Sequence, residues 1–235
     1  MRIIVTAGPT REYLDPVRFL SNPSTGKMGF AIAAEAARRG HEVTLVAGPV
    51  ALKTPKGVKR IDVISAREML AAVKKSVFPS ASSDLPLKHR NIQSSNPRRN
   101  LTVFISTAAV ADWRPAKCAA KKLKKNEMSG TLKLVKNPDI LKTLHSTIRR
   151  FDNSTIRLIG FAAETDHVLA EAVRKCREKG LKFIVANDVS EKGCGFGTDT
   201  NKVTFVFPDG TQKRFPLMSK RMVAKKIIDE VNNEK

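Results

Sequence analysis

A short segment near the amino terminus combines several groups that could hold a phosphate. The segment Phe19–Gly29, FLSNPSTGKMG, contains an amide, three hydroxyls, a lysine and two glycines, and it lies between an apolar strand and a long apolar helix. Backbone N–H groups and the positive end of the helix dipole at the start of such a helix favour an anion. The alternative interpretation is structural: Ser24 caps the helix, while Gly26 and Gly29 permit close packing.

Lysine-rich and glycine-rich segments offer further contacts for an anion. The run AAKKLKKNEMSG carries lysines at 121, 122, 124 and 125. Such a run is typical of a solvated surface, but it would also suit a basic flap that closes over a triphosphate. Lys175 and Lys179 lie four residues apart, on one face of a predicted helix. The segment GCGFGTDTN could fold over a ligand or form a long turn.

Several familiar chemistries are disfavoured by the motifs. Neither the dinucleotide-binding glycine pattern nor the P-loop pattern is present, which argues against a dehydrogenase. The four histidines are scattered without zinc spacing, and no serine or cysteine occupies a nucleophilic setting. These motifs therefore identify no reaction by themselves.

The composition favours phosphate binding in general and does not select nucleic acid. The chain of 235 residues carries a formal net charge of +21, which attracts anions. Aromatic residues are only 6% of the sequence, whereas nucleic-acid modules use rings on which bases stack. Three scattered cysteines, no apolar run of membrane-spanning length and no room for a signal peptide lead us to expect a cytoplasmic protein without membrane contact.

Strand and helix patterns alternate along the chain. Apolar runs predict six strands: RIIVTA, EVTLVAG, KRIDVI, LTVFIS, RLIGFAAE and LKFIVAND. Helical spacing predicts helices over residues 26–39, 66–76, 166–179 and 219–232, and a further helix starting at Pro138. This alternation predicts a Rossmann-like three-layer, doubly wound, mostly parallel α/β sheet. Asp209 and Gly210 predict a C-terminal β-hairpin.

One domain over residues 1–235 accounts for this pattern. Residues 79–100 are rich in Ser, Asn and Pro and lack apolar periodicity, so we expect a mobile surface insert there. In an open parallel sheet, ligands bind beyond the carboxyl ends of the strands. Four segments follow predicted strands, and the site is expected among them: GPTREYLDPVR, STAAVADWRP, FAAET and ANDVS.

Six blocks of the sequence, taken in order, resemble phosphopantothenate–cysteine ligase, also called phosphopantothenoylcysteine synthetase, of coenzyme A biosynthesis. The blocks are TAGPTREYLDPVRFLSNPSTGKMGFAIAAEAARRGHEVTLVAGPV, AAVADWRP, KKLKK, LVKNPDIL, GFAAET, and ANDVS with GFGTDTN. The resemblance runs from Ile3 to about Val206, apart from the insert. It implies that CTP activates 4′-phosphopantothenate as an acyl-cytidylate with release of pyrophosphate. The amine of L-cysteine would then displace CMP to give 4′-phosphopantothenoylcysteine.

The resemblance also implies roles for individual residues. Asn22 corresponds to the residue that stabilises the acyl-cytidylate, Lys122 to the flap lysine of the later half-reaction, and Arg18 to a ligand of the substrate phosphate. Asp112 is expected to help hold Mg²⁺, the cofactor that would accompany CTP. The CTP contacts match Ser106, Thr107, Ala108, Asp112, Asn137, Pro138, Asp139, Ile140, Phe161, Lys175 and Lys179.

Departures and alternatives accompany this resemblance. Pro23 stands where the family commonly has His, and Trp113 where it has Tyr.

Family members dimerise, and residues 113–135 are expected to form the dimerisation strap. A separate flavin-dependent phosphopantothenoylcysteine decarboxylase chain is expected to act downstream. Related eukaryotic enzymes use ATP, although the KKLKK and NPDI blocks favour CTP. The alternative from another class is a basic Rossmann-like nucleic-acid-binding domain.

Overall fold

The computed structural model describes residues 1–79, 101–124, 126, 130–151, 155–164, 168–188, 194, 195 and 197–233. The predicted insert over residues 79–100 therefore lies outside the described residues, except for Pro79. Within the described part of the chain, no helix is both long enough and apolar enough to cross a membrane.

Strands and helices alternate along most of the chain. The strands are β1 (Arg2–Ala7), β2 (Arg11–Tyr13), β3 (Phe19–Ser21), β4 (Glu42–Ala47), β5 (Val58–Asp62), β6 (Thr102–Ser106), β7 (Trp113–Pro115), β8 (Leu134–Lys136), β9 (Ile156–Glu164), β10 (Phe183–Asp188), β11 (Thr200–Asn201), β12 (Val203–Val206), β13 (Gln212–Arg214) and β14 (Met218–Ser219). The helices are α1 (Lys27–Arg38), α2 (Ala66–Val77), α3 (Ile140–Arg150), α4 (Val168–Glu178) and α5 (Lys220–Asn232).

A central sheet of eight strands has the order β13-β12-β10-β9-β6-β1-β4-β5. Pairings from β10 across to β5 are parallel, and β12 and β13 are antiparallel. The mostly parallel sheet and the C-terminal hairpin predicted from the sequence are thus confirmed. From β1 the chain builds the sheet outward through β4 and β5, and it then returns to the other side of β1 with β6. This reversal creates a crevice at the carboxyl ends of β1 and β6, where ligands of doubly wound folds bind.

Helices cover both faces of the sheet. Helices α1 and α5 pack with the cluster that includes Ile3, Val5 and Ile105, and helices α2, α3 and α4 pack with the cluster that includes Ile4 and Phe104. Successive side chains of a strand point to opposite faces, so strands covered on both sides are apolar at nearly every position. The continuous apolar runs of the sequence have this origin.

In the described residues, three short antiparallel pairs lie outside the central sheet: β2–β3, β7–β8 and β11–β14. The β7–β8 pair joins the two ends of the predicted dimerisation strap. The prediction that a helix starts at Pro138 is wrong by two residues. Asp139 is the N-cap, because its carboxylate accepts a hydrogen bond from the N–H of Lys142, and the helix begins at Ile140.

Candidate active site

A cavity of about 420 Å³ opens at the crevice between β1 and β6. The amino ends of α1 and α3, the loop after β6, the carboxyl end of α4 and parts of the glycine-rich segment contribute to its wall. Every residue that the resemblance assigns to CTP lines it: Ser106, Thr107, Ala108, Asp112, Asn137, Pro138, Asp139, Ile140, Phe161, Lys175 and Lys179. The fold therefore brings together one complete set of predicted contacts from four separate parts of the chain.

The amino end of α1 forms one side of this cavity because its glycines permit a close approach. A Cβ atom on Gly29 would lie 2.5 Å from both the Ala7 Cβ and the Thr107 Oγ1. Gly26 is the N-cap, with φ of 77°, and the helix begins without a side-chain cap. The interpretation that Ser24 caps the helix is therefore wrong, although its hydroxyl accepts a hydrogen bond from the N–H of Gly26 at 3.4 Å.

The loop after β6 is held in place by buried threonines. The N–H groups of Thr107 and Ala108 donate to Thr6 Oγ1 at 3.2 and 3.3 Å, and the Thr107 hydroxyl donates to the Thr6 carbonyl. Farther along the loop, the N–H of Ala111 donates to Thr10 Oγ1 at 3.0 Å. Because these donors are occupied, a ligand would contact the loop through side chains and carbonyls rather than through these N–H groups.

Asn137 fastens the same loop to the start of α3. Its N–H donates to the carbonyl of Asp112 at 2.7 Å, and its side-chain amide donates to the carbonyl of Ala111 at 2.8 Å. Its amide oxygen accepts a hydrogen bond from Arg114 at 3.2 Å. Asn137 thus lines the cavity, but both its side-chain nitrogen and its side-chain oxygen make hydrogen bonds that position the segment carrying Asp112.

Two lysines and a carboxylate occupy the α4 side of the cavity. Lys179 Nζ lies 2.8 Å from Asp139 Oδ2, and Lys175 Nζ lies 3.6 Å from Glu171. Burial would raise the pKa of Asp139, but hydrogen bonds from the Lys142 N–H and from Lys179 bring it below its usual value. The carboxylate therefore stays ionised and keeps Lys179 at the cavity wall.

Asp112 is placed where a divalent cation could be shared with a phosphate. Its side chain is exposed at the cavity wall, and it makes no hydrogen bond or ion pair with any described residue. The described residues contain no cluster of three or more acidic, histidine or cysteine side chains that would hold a metal by themselves. This arrangement fits Mg²⁺, which binds through one or two carboxylates together with substrate phosphates and water.

A second pair of lysines lies on the α1 side of the cavity. Lys27 Nζ is 3.0 Å from the carbonyl of Gly197 and 2.7 Å from Asp199 Oδ1. Lys220, at the start of α5, is buried and donates to the carbonyls of Gly195 and Thr198 at 3.3 and 2.5 Å. Both lysines thus bind the described part of the glycine-rich segment.

Two buried amides in this cavity have a side-chain oxygen without a partner among the described residues. The side-chain oxygens of Asn187 and Asn201 are inaccessible and accept no hydrogen bond from any described residue. An unsatisfied buried acceptor costs about 1–3 kcal/mol, so a ligand that offers hydroxyl or amino donors would relieve that cost.

Asn22 lies beside the cavity rather than in its wall. Its side-chain amide donates to the carbonyl of Ala109 at 3.1 Å, and Ala109 itself lines the cavity. The neighbouring Ser21 hydroxyl donates to the carbonyl of Thr10 at 2.8 Å. The turn that presents Asn22 is therefore attached directly to the loops after β1 and β6.

Arg18 and the lysine-rich segment meet at Asp15, a buried residue that the sequence reasoning missed. Arg18 donates to Asp15 Oδ2 from Nε at 3.0 Å and from Nη2 at 2.7 Å, and Nη2 also lies 2.6 Å from the carbonyl of Leu123. Asp15 additionally accepts from the N–H of Leu123 at 3.2 Å, next to the exposed Lys122. A substrate phosphate at Arg18 would have to share a guanidinium that already binds this carboxylate.

Hydrogen bonds keep Asp15 ionised despite its burial. Burial would raise its pKa, but the N–H groups of Val17 and Arg18, the Arg18 side chain and the N–H of Leu123 together hold the pKa well below its usual range. The short segment LDPVR in the sequence suggests a turn, but only the structure shows that its carboxylate reaches residue 123.

The sequence matches a known family over residues 1–83 and 90–234, described as DNA/pantothenate metabolism flavoprotein C-terminal domain. The interruption at residues 84–89 is shorter than the insert predicted over residues 79–100. Coenzyme A biosynthesis bifunctional protein CoaBC of Escherichia coli (strain K12) is 45% identical over 234 residues, and its Bacillus subtilis (strain 168) counterpart is 42% identical over 230. These alignments cover 98% and 97% of this chain but 51% and 50% of the relatives, so the chain spans about half their length.

Solved structures share this fold. The C-terminal domain of Coenzyme A biosynthesis bifunctional protein CoaBC superimposes with a TM-score of 0.73 and 39% identity, covering 98% of this chain and 93% of that chain. The DNA/pantothenate metabolism flavoprotein from Streptococcus pneumoniae gives a TM-score of 0.71 at 23% identity, with 98% of each chain covered. A Cab2 mutant in complex with phosphopantothenate-cysteine gives 0.68 at 16% identity, with 97% and 85% covered.

Proposed function

This chain belongs to the family of the DNA/pantothenate metabolism flavoprotein C-terminal domain, and we propose that it is a ligase that joins 4′-phosphopantothenate to L-cysteine. Its relatives at 42–45% identity are bifunctional proteins of coenzyme A biosynthesis, which supports this assignment. The observation that carries the proposal is that one cavity collects every residue expected to contact a nucleoside triphosphate. The two buried amide oxygens without partners support a ligand with hydroxyl and amino groups.

The proposed reaction has two steps. The carboxylate oxygen of 4′-phosphopantothenate attacks the α-phosphorus of CTP, and pyrophosphate leaves. The amine of cysteine then attacks the carbonyl carbon of the acyl-cytidylate, a proton is lost from nitrogen, and CMP leaves as the amide bond forms. Positioning and charge neutralisation can supply most of the acceleration, because two anions must be brought into contact. No covalent protein nucleophile takes part in this proposal.

The chain's own cations would neutralise the reactants. Four lysines and the two carboxylates of Asp112 and Asp139 line the cavity. The lysines are Lys27, Lys175, Lys179 and Lys220. Mg²⁺ bound at Asp112 would add positive charge to the phosphates. The lysines hold the nucleotide, while the loop pinned by Thr6 and Asn137 keeps Asp112 in place.

Asn22 is proposed to donate to the carbonyl oxygen of the acyl-cytidylate. Its amide N–H already points to the carbonyl of Ala109, so it would exchange this acceptor for the substrate oxygen. An amide donor stabilises developing negative charge on that oxygen without adding a charge of its own. Lys122 is exposed, and we propose that it reaches the site as part of a basic flap. Its neighbour Leu123 anchors that flap to Asp15.

We further propose that two copies associate through the β2–β3 and β7–β8 pairs, which contact each other in the fold. Large apolar side chains are exposed on both: Phe19 is 39% exposed, Trp113 45% and Leu134 39%. Covering such a patch is favourable, since water is released from apolar surface. The product would then pass to a flavin-dependent decarboxylase.

Product formation with single reactants omitted tests the proposal. Purified protein is incubated with CTP, Mg²⁺, 4′-phosphopantothenate and cysteine, and the amide product is measured by mass spectrometry. We expect 4′-phosphopantothenoylcysteine only when every reactant is present, and a lower rate with ATP than with CTP. Formation of no amide by folded protein with either nucleotide would overturn the assignment.

A further inference from the structure

Lys220 is a buried cation in an electrostatically unfavourable place. It is 8% exposed, and it is the first residue of α5 after the N-cap Ser219. The amino end of a helix carries partial positive charge, so a lysine there is repelled rather than stabilised. Lys27 adds a second positive charge nearby. Burial first, and then Lys27, lower the pKa of Lys220, while Asp199 opposes them.

Within the part of the chain that the structure describes, this cation is not paired with a carboxylate. Both hydrogen bonds from Lys220 Nζ go to backbone carbonyls, those of Gly195 and Thr198. Asp199 instead forms its ion pair with Lys27, at 2.7 Å. Among the described residues, no acid makes an ion pair with Lys220. A buried charge that lacks a counterion is costly, and an anionic ligand would remove that cost.

The surroundings of Lys220 suit phosphate oxygens. The cavity wall on this side consists of small and polar residues at the uncapped start of α1, including Ser24, Thr25 and Gly26. The opposite face of the sheet, which α3 and α4 cover, contributes the apolar residues Leu141, Leu181 and Ile184. The two lysines on that side already contact Glu171 and Asp139. Apolar walls suit a base and sugar, whereas a glycine-rich helix start suits phosphates.

An unsatisfied amide in the same region indicates that a ligand belongs there. Asn201, which is 4% exposed, lines the cavity, and its side-chain oxygen has no partner among the described residues. Its amide nitrogen makes a long contact of 3.8 Å with the sulfur of Met28 and no hydrogen bond to another side chain or carbonyl in the described ranges. A nucleotide can offer the hydroxyl or amino donor that this amide lacks.

We propose that Lys220 is a phosphate-binding residue of this site and that it contacts the part of a nucleoside triphosphate that leaves as pyrophosphate. The inference rests on the proposed function and assigns the orientation of the nucleotide in the cavity. The base and sugar lie toward α4, and the terminal phosphates lie between the starts of α1 and α5. Lys27 supports this arrangement by holding Asp199, which leaves Lys220 available to the ligand.

Calorimetric titration of variants with CTP, pyrophosphate and CMP tests this assignment. Lys220→Met removes the charge and keeps the length of the side chain, so it should weaken CTP and pyrophosphate binding at least tenfold and change CMP binding less than threefold. Lys225→Met, on an exposed part of the same helix, removes an equal charge and should bind all three ligands as the wild type does. Equal weakening of CTP and CMP by Lys220→Met, or no weakening of either, would overturn the inference.

A labelling experiment on the wild-type protein covers the case in which Lys220→Met does not fold. Lysine acetylation is followed by mass spectrometry with and without ligand. Pyrophosphate should protect Lys220 at least fivefold and leave Lys225 unprotected; equal labelling of Lys220 with and without pyrophosphate would contradict the assignment. If the wild type binds CTP but the acetylation of Lys220 does not change with ligand, only this inference is contradicted. If the wild type binds no nucleotide, the proposed function is contradicted as well.

Discussion

Polar residues in this site either are available to a ligand or hold the loops in place. Their hydrogen-bond partners within the protein distinguish the two roles. The hydroxyl of Thr6 and the amide of Asn137 bind protein groups and hold the loop after β6 in place. The amides of Asn187 and Asn201 are equally polar, but their oxygens have no partner among the residues that the structure describes. The sequence assigns Asn137 to the nucleotide, while the structure gives it a positioning role as well.

Asn22→Asp tests the residue proposed at the reacting carbonyl. The aspartate cannot donate to the acyl-cytidylate oxygen and adds a negative charge beside it, so the overall rate should fall about 100- to 1,000-fold. CTP binding should change less than threefold, because Asn22 does not line the cavity. Single-turnover kinetics with calorimetry of CTP binding separates the two effects. A normal turnover rate would remove Asn22 from the proposed role.

Lys122→Gln tests the proposed flap. Removing this charge should slow product formation about 100-fold, as the loss of a charge-stabilising group commonly does. The melting temperature should not change, because Lys122 is exposed. Lys121→Gln, which alters the adjacent exposed lysine, is the matched control and should keep a nearly normal rate. Equal rates for both variants would show that the run of lysines is only a solvated surface.

At the scale of elements, the sheet and the main helices follow from the sequence, whereas the small strand pairs do not. Strands such as β1 and β6 are covered on both faces, so their apolar character is visible without the structure. The pairs β2–β3 and β7–β8 have three residues in each strand and include exposed positions. The segment before NPDIL does predict a strand where β8 lies, but segments this short do not show which strands pair.

Contacts between distant segments are the other part that sequence cannot supply. In the sequence, Lys220 looks like a solvated lysine at the start of a helix. Its burial against Gly195 and Thr198 is visible only in the fold. Asp15 likewise reads as a turn residue, although it binds the segment at Leu123. Burial and long-range partners arise from packing, so no local pattern reports them.

Asp15→Asn tests the attachment between the β2–β3 turn and the lysine-rich segment. The pKa of Asp15 is lowered in the folded protein, so its contribution to stability is present above the pKa of the unfolded chain and is lost as the pH falls below about 5. The variant should therefore be less stable than the wild type at pH 7, and this difference should shrink toward pH 3. Urea unfolding across that range measures it. A difference that does not vary with pH would contradict the linkage.

Two properties of the whole molecule extend beyond the residues that line the cavity. One is the net charge of +21, and the other is the exposed apolar patch on the β2–β3 and β7–β8 pairs. The patch supports a dimer of this chain, and the charge would draw phosphorylated substrates toward the cavity through long-range attraction. Neither feature requires nucleic acid as a partner.

Trp113→Glu tests the dimer. A charge in the middle of a buried apolar contact should raise the dissociation constant about 30-fold, or roughly 2 kcal/mol. Leu217→Glu is the control, because Leu217 is also exposed, at 51%, but lies outside the two strand pairs. Analytical ultracentrifugation should show dimers for the wild type and Leu217→Glu and monomers for Trp113→Glu at micromolar concentration. A monomeric wild type would contradict the proposed interface.

Transfer of a carboxylate oxygen to the nucleotide is the most direct test of the central claim, which is that this cavity activates an acid by joining it to CTP. 4′-Phosphopantothenate labelled with oxygen-18 in its carboxylate is converted with CTP and cysteine, and the released CMP is examined by mass spectrometry. An acyl-cytidylate predicts one labelled oxygen in CMP for each amide formed, because the bridging oxygen stays with phosphorus when the amine attacks carbon. Amide formation with unlabelled CMP, or with the label in inorganic phosphate, would contradict the account.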